Sequence, residues 1–84
     1  MILLFIYVII MTYKEQKEFE SIDEDIAKLE AMLESLDEEM MKNATNSVKL
    51  SELVAEKEKV QNALDEKMER WIYLNDLNEQ IQAQ

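Results

Sequence analysis

The sequence contains no glycine, no proline, no cysteine and no histidine, and each absence removes a class of chemistry. Without cysteine there is no disulfide framework and no thiolate metal site. Lacking both cysteine and histidine, the chain has no tetrahedral zinc set and no Ser-His or Cys-His nucleophile pair. Without glycine, no backbone loop can cradle a phosphate, so neither a P-loop nor a dinucleotide fingerprint is present. No catalytic residue, metal or cofactor is therefore assigned, and the chain is not expected to be an enzyme.

Basic charge is also scarce. Nine basic residues stand against nineteen acidic ones in 84 positions, a net charge of −10. A chain this acidic gains little from counterion release on a nucleic-acid backbone, so autonomous DNA binding starts at a disadvantage. What is present is apolar: 48% of the residues are hydrophobic and 33% are charged. That is too apolar for simple disorder. Charged and apolar residues together, without Gly or Pro, are the profile of long helices and coiled coils. The length allows one small domain.

Three segments follow one another. Residues 1–11, MILLFIYVIIM, carry no charge, residues 12–41 are strongly acidic, and residues 42–84 are mixed in sign. In the second segment Phe19, Ile22, Ile26, Leu29, Leu33, Leu36 and Met40 recur at alternating steps of three and four. This spacing is an a/d seam that places all seven on one helical stripe. Thr12-Tyr13-Lys14-Glu15 fits a capping box, in which hydroxyl and carboxylate satisfy orphan N–H groups. A helix is predicted over about 13–41.

The seam stops at Lys42-Asn43-Ala44-Thr45-Asn46-Ser47, short polar residues that compete for backbone hydrogen bonds. Asn tolerates the left-handed conformation that ends helices, and Asn46 or Ser47 can cap the next one. The following stripe reads Leu50, Leu53, Val60, Leu64, Trp71, Leu74 and Ile81, with Lys57, Lys67 and Asn78 in the remaining heptad positions. Met68 competes with Lys67 for the seam, which allows a local slip of phase. A second helix is predicted over about 47–81.

Two amphipathic helices joined by a link at 42–47 form an all-α, antiparallel two-helix coiled-coil hairpin. Folding about the link sets Leu29 near Val60, Ile22 near Leu64 or Met68, and Tyr13 and Phe19 near Trp71 and Leu74. The predicted core is Phe19, Ile22, Ile26, Leu29, Leu33 and Leu36 against Leu53, Val60, Leu64, Trp71 and Leu74. Tyr13 and Tyr73 are expected at the open end with their hydroxyls in water. The basic residues after Met41 fall on or beside the second seam, where their stems cover apolar neighbours and their charges face the acidic first helix. The acidic run Asp23-Glu24-Asp25 reads as a solvated face, because neighbours one and two apart do not converge on a helix.

Three stretches carry a family resemblance. Thr12-Tyr13-Lys14-Glu15-Gln16 opens the first helix, Asn43-Ala44-Thr45 leads into Lys49-Leu50-Ser51-Glu52-Leu53, and Arg70-Trp71-Ile72-Tyr73-Leu74 closes the second. At this spacing they resemble the C-terminal coiled-coil domain of the F-type ATP-binding-cassette (ABC-F) proteins, the Uup-like group, over roughly residues 11–82. The resemblance implies a domain that follows two tandem ATPase domains in a cytoplasmic protein without membrane spans. It implies action on ribosomes and a contribution to nucleic-acid binding, for which Lys59, Lys67 and Arg70 are the candidate contacts. The charge pattern offers a competing use for these cations, pairing across the hairpin, with Arg70 facing Glu18 or Glu20. Asn43-Ala44-Thr45 also matches a glycosylation sequon, a chance match in a cytoplasmic domain.

The chain departs from the family pattern in two ways. It has no ATPase domain, so ATP hydrolysis transfers to no residue here. Ten apolar residues also replace the basic linker usual before the first helix. MILLFIYVII falls well short of the ~20 apolar residues that span a bilayer and lacks the marks of a signal peptide, so a membrane partner is not expected. Three readings stand for it: codons not native to the domain after a truncation or rearrangement, a helical extension packing on Leu77 and Ile81, or a peripheral membrane foot. Through this segment the chain is also expected to self-associate, giving a rival reading as a stand-alone structural coiled coil or membrane tether.

Overall fold

A computed structural model describes residues 9–84. Two helices, α1 (Tyr13–Lys42) and α2 (Ser47–Ala83), pack against each other as an all-α hairpin. With 30 and 37 residues they are roughly 45 and 55 Å long.

The start of α1 is set by local chemistry. Thr12 is extended (φ −68°, ψ 164°), and its hydroxyl accepts from the Glu15 amide at 3.1 Å. The Glu15 carboxylate in turn accepts from the Thr12 amide at 2.9 Å. This reciprocal cap stops the helix, and residues 9–12 are not helical. A helical extension of α1 is thereby excluded for those residues; the readings of residues 1–8 lie outside the described part. Ile9 is tied instead to the far end of the chain. Its amide donates to Gln84 Oε1 at 2.8 Å, and Gln84 Nε2 donates to its carbonyl at 2.6 Å.

The turn works differently from the left-handed stop that its asparagines suggest. Asn43 has φ −112° and ψ 24°, and no described residue has positive φ. Its side-chain amide donates to the Glu39 carbonyl at 2.8 Å, while its backbone N–H reaches the carbonyls of Glu39 and Met40. Backbone and side-chain N–H groups of Asn43 thus serve the Glu39 and Met40 carbonyls at the helix end without a left-handed residue. Asn46 then caps α2 by accepting from the Lys49 amide at 3.1 Å. Both helices run slightly past their expected C-terminal ends.

The core is thin. Ile22 and Leu74 are essentially without exposure, and Leu53, Val60 and Leu64 are buried beside them. Phe19, Ile26, Leu29, Leu33 and Leu36 are half-buried, as are the polar seam residues Lys57, Lys67 and Asn78. A two-helix layer covers each seam from one side only, so most stripe residues keep an open flank. Trp71 departs from its expected place: it is 37% exposed, lying at the seam's edge because its N–H turns toward a carboxylate of α1.

Candidate functional site

Each flank of the hairpin carries its own row of contacts. On one side Arg70 meets Glu18 at 2.8 Å and Lys67 meets Asp25 at 3.4 Å. These four residues, with Lys28, Leu29, Ala63 and Glu66, line a groove along the seam. On the other side Asp23, Ile26 and Glu30 of α1 face Met68 and Trp71 of α2 across a smaller groove. Nearer the turn Lys57 meets Asp37 at 2.7 Å.

Asp23 and Asp25 therefore serve opposite flanks. Two residues on a helix are separated by about 200° of rotation, which sends Asp23 to Trp71 and Asp25 to Lys67. The acidic run is consequently more than a solvated face. Asp23 Oδ1 accepts from the Trp71 indole N–H at 2.8 Å, a contact that heptad spacing alone does not reveal.

The candidate cations have different fates. Lys67 and Arg70 are engaged in the interhelical pairs just described. Lys59 is exposed and makes no ion pair among the described residues. The Arg70 partner is Glu18, and the contact is well shielded on the acidic side, where Glu18 is 23% exposed.

At the open end the contacts merge into one network. The Arg70 guanidinium lies 4.7 Å from the centre of the Tyr73 ring, and the Tyr73 hydroxyl donates to Glu15 Oε2 at 2.7 Å. The hydroxyl is thus bonded to α1 rather than left to water. Tyr13 is largely exposed, with the Lys17 ammonium 5.5 Å from its ring centre. The Thr12 amide, followed by the Tyr73 hydroxyl, holds the Glu15 carboxyl below its ordinary range. The hydrogen bond to Glu15 raises the Tyr73 phenol, and the bond to Glu18 raises the Arg70 guanidinium. These are the directions expected when a charged or donating form is held by its partner.

Among the described residues no group of three or more acidic side chains is placed to hold a metal ion, and no helix is long and apolar enough to cross a membrane. What the geometry offers is surface: a rod whose two flanks differ in charge pairing.

No solved structure matches the chain significantly. A Bacillus subtilis (strain 168) protein, the uncharacterized ABC transporter ATP-binding protein YfmR, is 32% identical over 73 residues. The match takes in 87% of this chain and 12% of that protein, so the chain spans about an eighth of its relative's length. The sequence model of the ABC transporter C-terminal domain matches residues 11–76, taking in both helix starts, the turn and the Arg70-to-Leu74 stretch. The chain belongs to the ABC transporter C-terminal domain family.

Proposed function

We propose that this chain is the non-catalytic C-terminal coiled-coil module of an ABC-F protein of the Uup-like group, with an accessory role in contacting the ribosome or nucleic acid in the cytoplasm. The family match over residues 11–76 carries the reading. The absence of any glycine-rich phosphate loop in the sequence supports a non-catalytic part, because P-loop ATPases hold the nucleotide phosphates in that cradle. The work would be mechanical and recognitional, done by a rod about 50 Å long.

The ion pairs shape what such binding would look like. Lys67 and Arg70 are already neutralised by Asp25 and Glu18, leaving Lys59 as the free member of the candidate trio. One or two phosphate contacts correspond to a logarithmic salt slope of only about −1 to −2. The test is co-sedimentation of the chain with purified ribosomes, alongside fluorescence anisotropy with single- and double-stranded oligonucleotides. Measured at ~50 and ~200 mM salt, binding that weakens modestly with salt and falls further in Lys59→Glu supports the proposal. No binding to either target at the lower salt overturns it as an autonomous activity.

A second reading draws on one observation, the exposure of Trp71, Ile72 and Tyr73 along α2. On this reading the chain is a structural coiled coil that self-associates, or that tethers through residues 1–11. Helicity that rises with protein concentration, and lipid flotation lost on deleting residues 1–11, would favour it.

A further inference from the structure

Three carboxylates on α1 are answered by a cation on α2. Glu18 has Arg70, Asp25 has Lys67 and Asp37 has Lys57. The groove lined by Asp23 and Glu30 differs, because its carboxylates face apolar and aromatic side chains of α2. There α2 presents Trp71 and Met68, which are 37% and 43% exposed, over a floor formed by Ile26. Asp23 receives only the neutral indole N–H. Among the described residues neither Asp23 nor Glu30 makes an ion pair.

We infer that this groove docks a lysine- or arginine-rich segment of a partner protein, whose cations supply the charges that α2 omits. The chemistry fits such side chains. An ammonium or guanidinium entering here meets a tryptophan face, which attracts cations, and carboxylates that form charge-assisted hydrogen bonds. Its methylene stem can lie on Met68 and Ile26. Asp23 and Glu30 are seven residues apart, about 10 Å along the helix. Basic residues three apart in a polyproline-II segment lie on one face about 9 Å apart, and residues seven apart in a helix share a face at about the same distance.

Charge complementarity selects this occupant. The chain carries −10, so a second copy or a nucleic acid would bring further negative charge to two unneutralised carboxylates. A basic protein segment brings the opposite sign. The inference goes beyond the ribosome or nucleic-acid reading and does not depend on it, since it uses the flank opposite Lys67 and Arg70.

The probe is a fluorescein-labelled, C-terminally amidated peptide of repeated Arg-Ala-Leu triplets, titrated with the full chain and followed by anisotropy. Emission from Trp71, the only tryptophan, reports whether the groove itself is occupied. The expected result is saturable binding with a change in Trp71 emission. Asp23→Asn combined with Glu30→Gln should weaken it by about tenfold, from two partly exposed charge contacts. The charge-matched pair Glu52→Gln and Glu56→Gln, far along α2, should weaken it less than about twofold. Glu30→Gln alone keeps the test sharp, because Glu30 makes no contact that the fold needs.

Several outcomes would overturn the inference. Absence of peptide binding is one, and equal weakening by the two charge-matched doubles is another, since that signals diffuse acidic attraction. A Trp71 emission change on concentrating the protein alone would assign the groove to a second copy. The same change with a single-stranded oligonucleotide but not with the peptide would assign it to nucleic acid.

Discussion

Arg70 shares its Nε–H between both carboxylate oxygens of Glu18, at 2.8 and 3.0 Å, across 52 positions of sequence. The same guanidinium lies over Tyr73, Tyr73 bonds Glu15, and Glu15 closes the cap on Thr12. The opening and closing stretches that carry the family resemblance are therefore one connected structure. Residues from both chain ends meet because the hairpin folds them onto one another, and the network pins their register.

Reversing that pair tests the register. Arg70→Glu sets two carboxylates against each other and should lower the thermal midpoint by several degrees. Glu18→Arg alone should do the same by opposing two cations. The double exchange should recover most of the loss, and a double-mutant cycle from circular-dichroism melts measures the coupling. Additive losses in the double variant would show that the two side chains do not interact in solution.

Burial ranks the core substitutions. Ile22→Ala and Leu74→Ala remove fully enclosed side chains and should each cost about 2–4 kcal/mol. A hairpin this small has little stability to spare, so either variant should be largely unfolded at room temperature. Trp71→Ala removes a larger side chain that already touches water, and should cost only about 1–2 kcal/mol. Chemical denaturation monitored by helicity gives the order, and a Trp71 loss exceeding those at Ile22 and Leu74 would place the indole in the core after all.

The open-end network makes stability depend on pH at both extremes. Glu15 has a lowered folded-state pKa, so its contribution is complete above the ordinary glutamate value of about 4.3. It is lost as pH falls through the depressed value. Tyr73 is raised, so its contribution is present below about pH 10 and disappears as the phenol ionises against Glu15. Glu15→Gln keeps a capping-box side chain while removing the charge. Between roughly pH 5 and pH 2 the variant should therefore lose less stability than the wild type. Parallel melts across that range measure the difference, and identical slopes would remove Glu15 from the acid response.

The two helices and their turn are legible in the amino-acid sequence. The three-four spacing from Phe19 to Met40, the Thr12–Glu15 box and the polar link mark them, because helix periodicity and capping are local properties of the chain. Ile22, Leu53, Val60, Leu64 and Leu74 lie buried on the predicted stripes. The groove at Asp23 is not legible in this way. A heptad count assigns Trp71 to the seam and Asp23 to solvent, and only the actual rotation of α2 against α1 brings the indole N–H to that carboxylate. The Tyr73 hydroxyl follows the same rule: its partner Glu15 is 58 positions away, beyond any local pattern.

By itself the sequence determined that the chain is helical, amphipathic, acidic and without the glycine, cysteine and histidine that a P-loop, a thiolate metal site or a Ser-His pair would need. Those properties follow from composition and from spacing within a few turns. The tertiary structure alone decided which charges cancel and which stay open. Antiparallel packing leaves Glu18, Asp25 and Asp37 beside Arg70, Lys67 and Lys57, but sets Asp23 and Glu30 beside Trp71 and Met68. The physical reason is that ion pairing depends on distance, and the distance between residues far apart in the chain exists only once the two helices have been laid side by side.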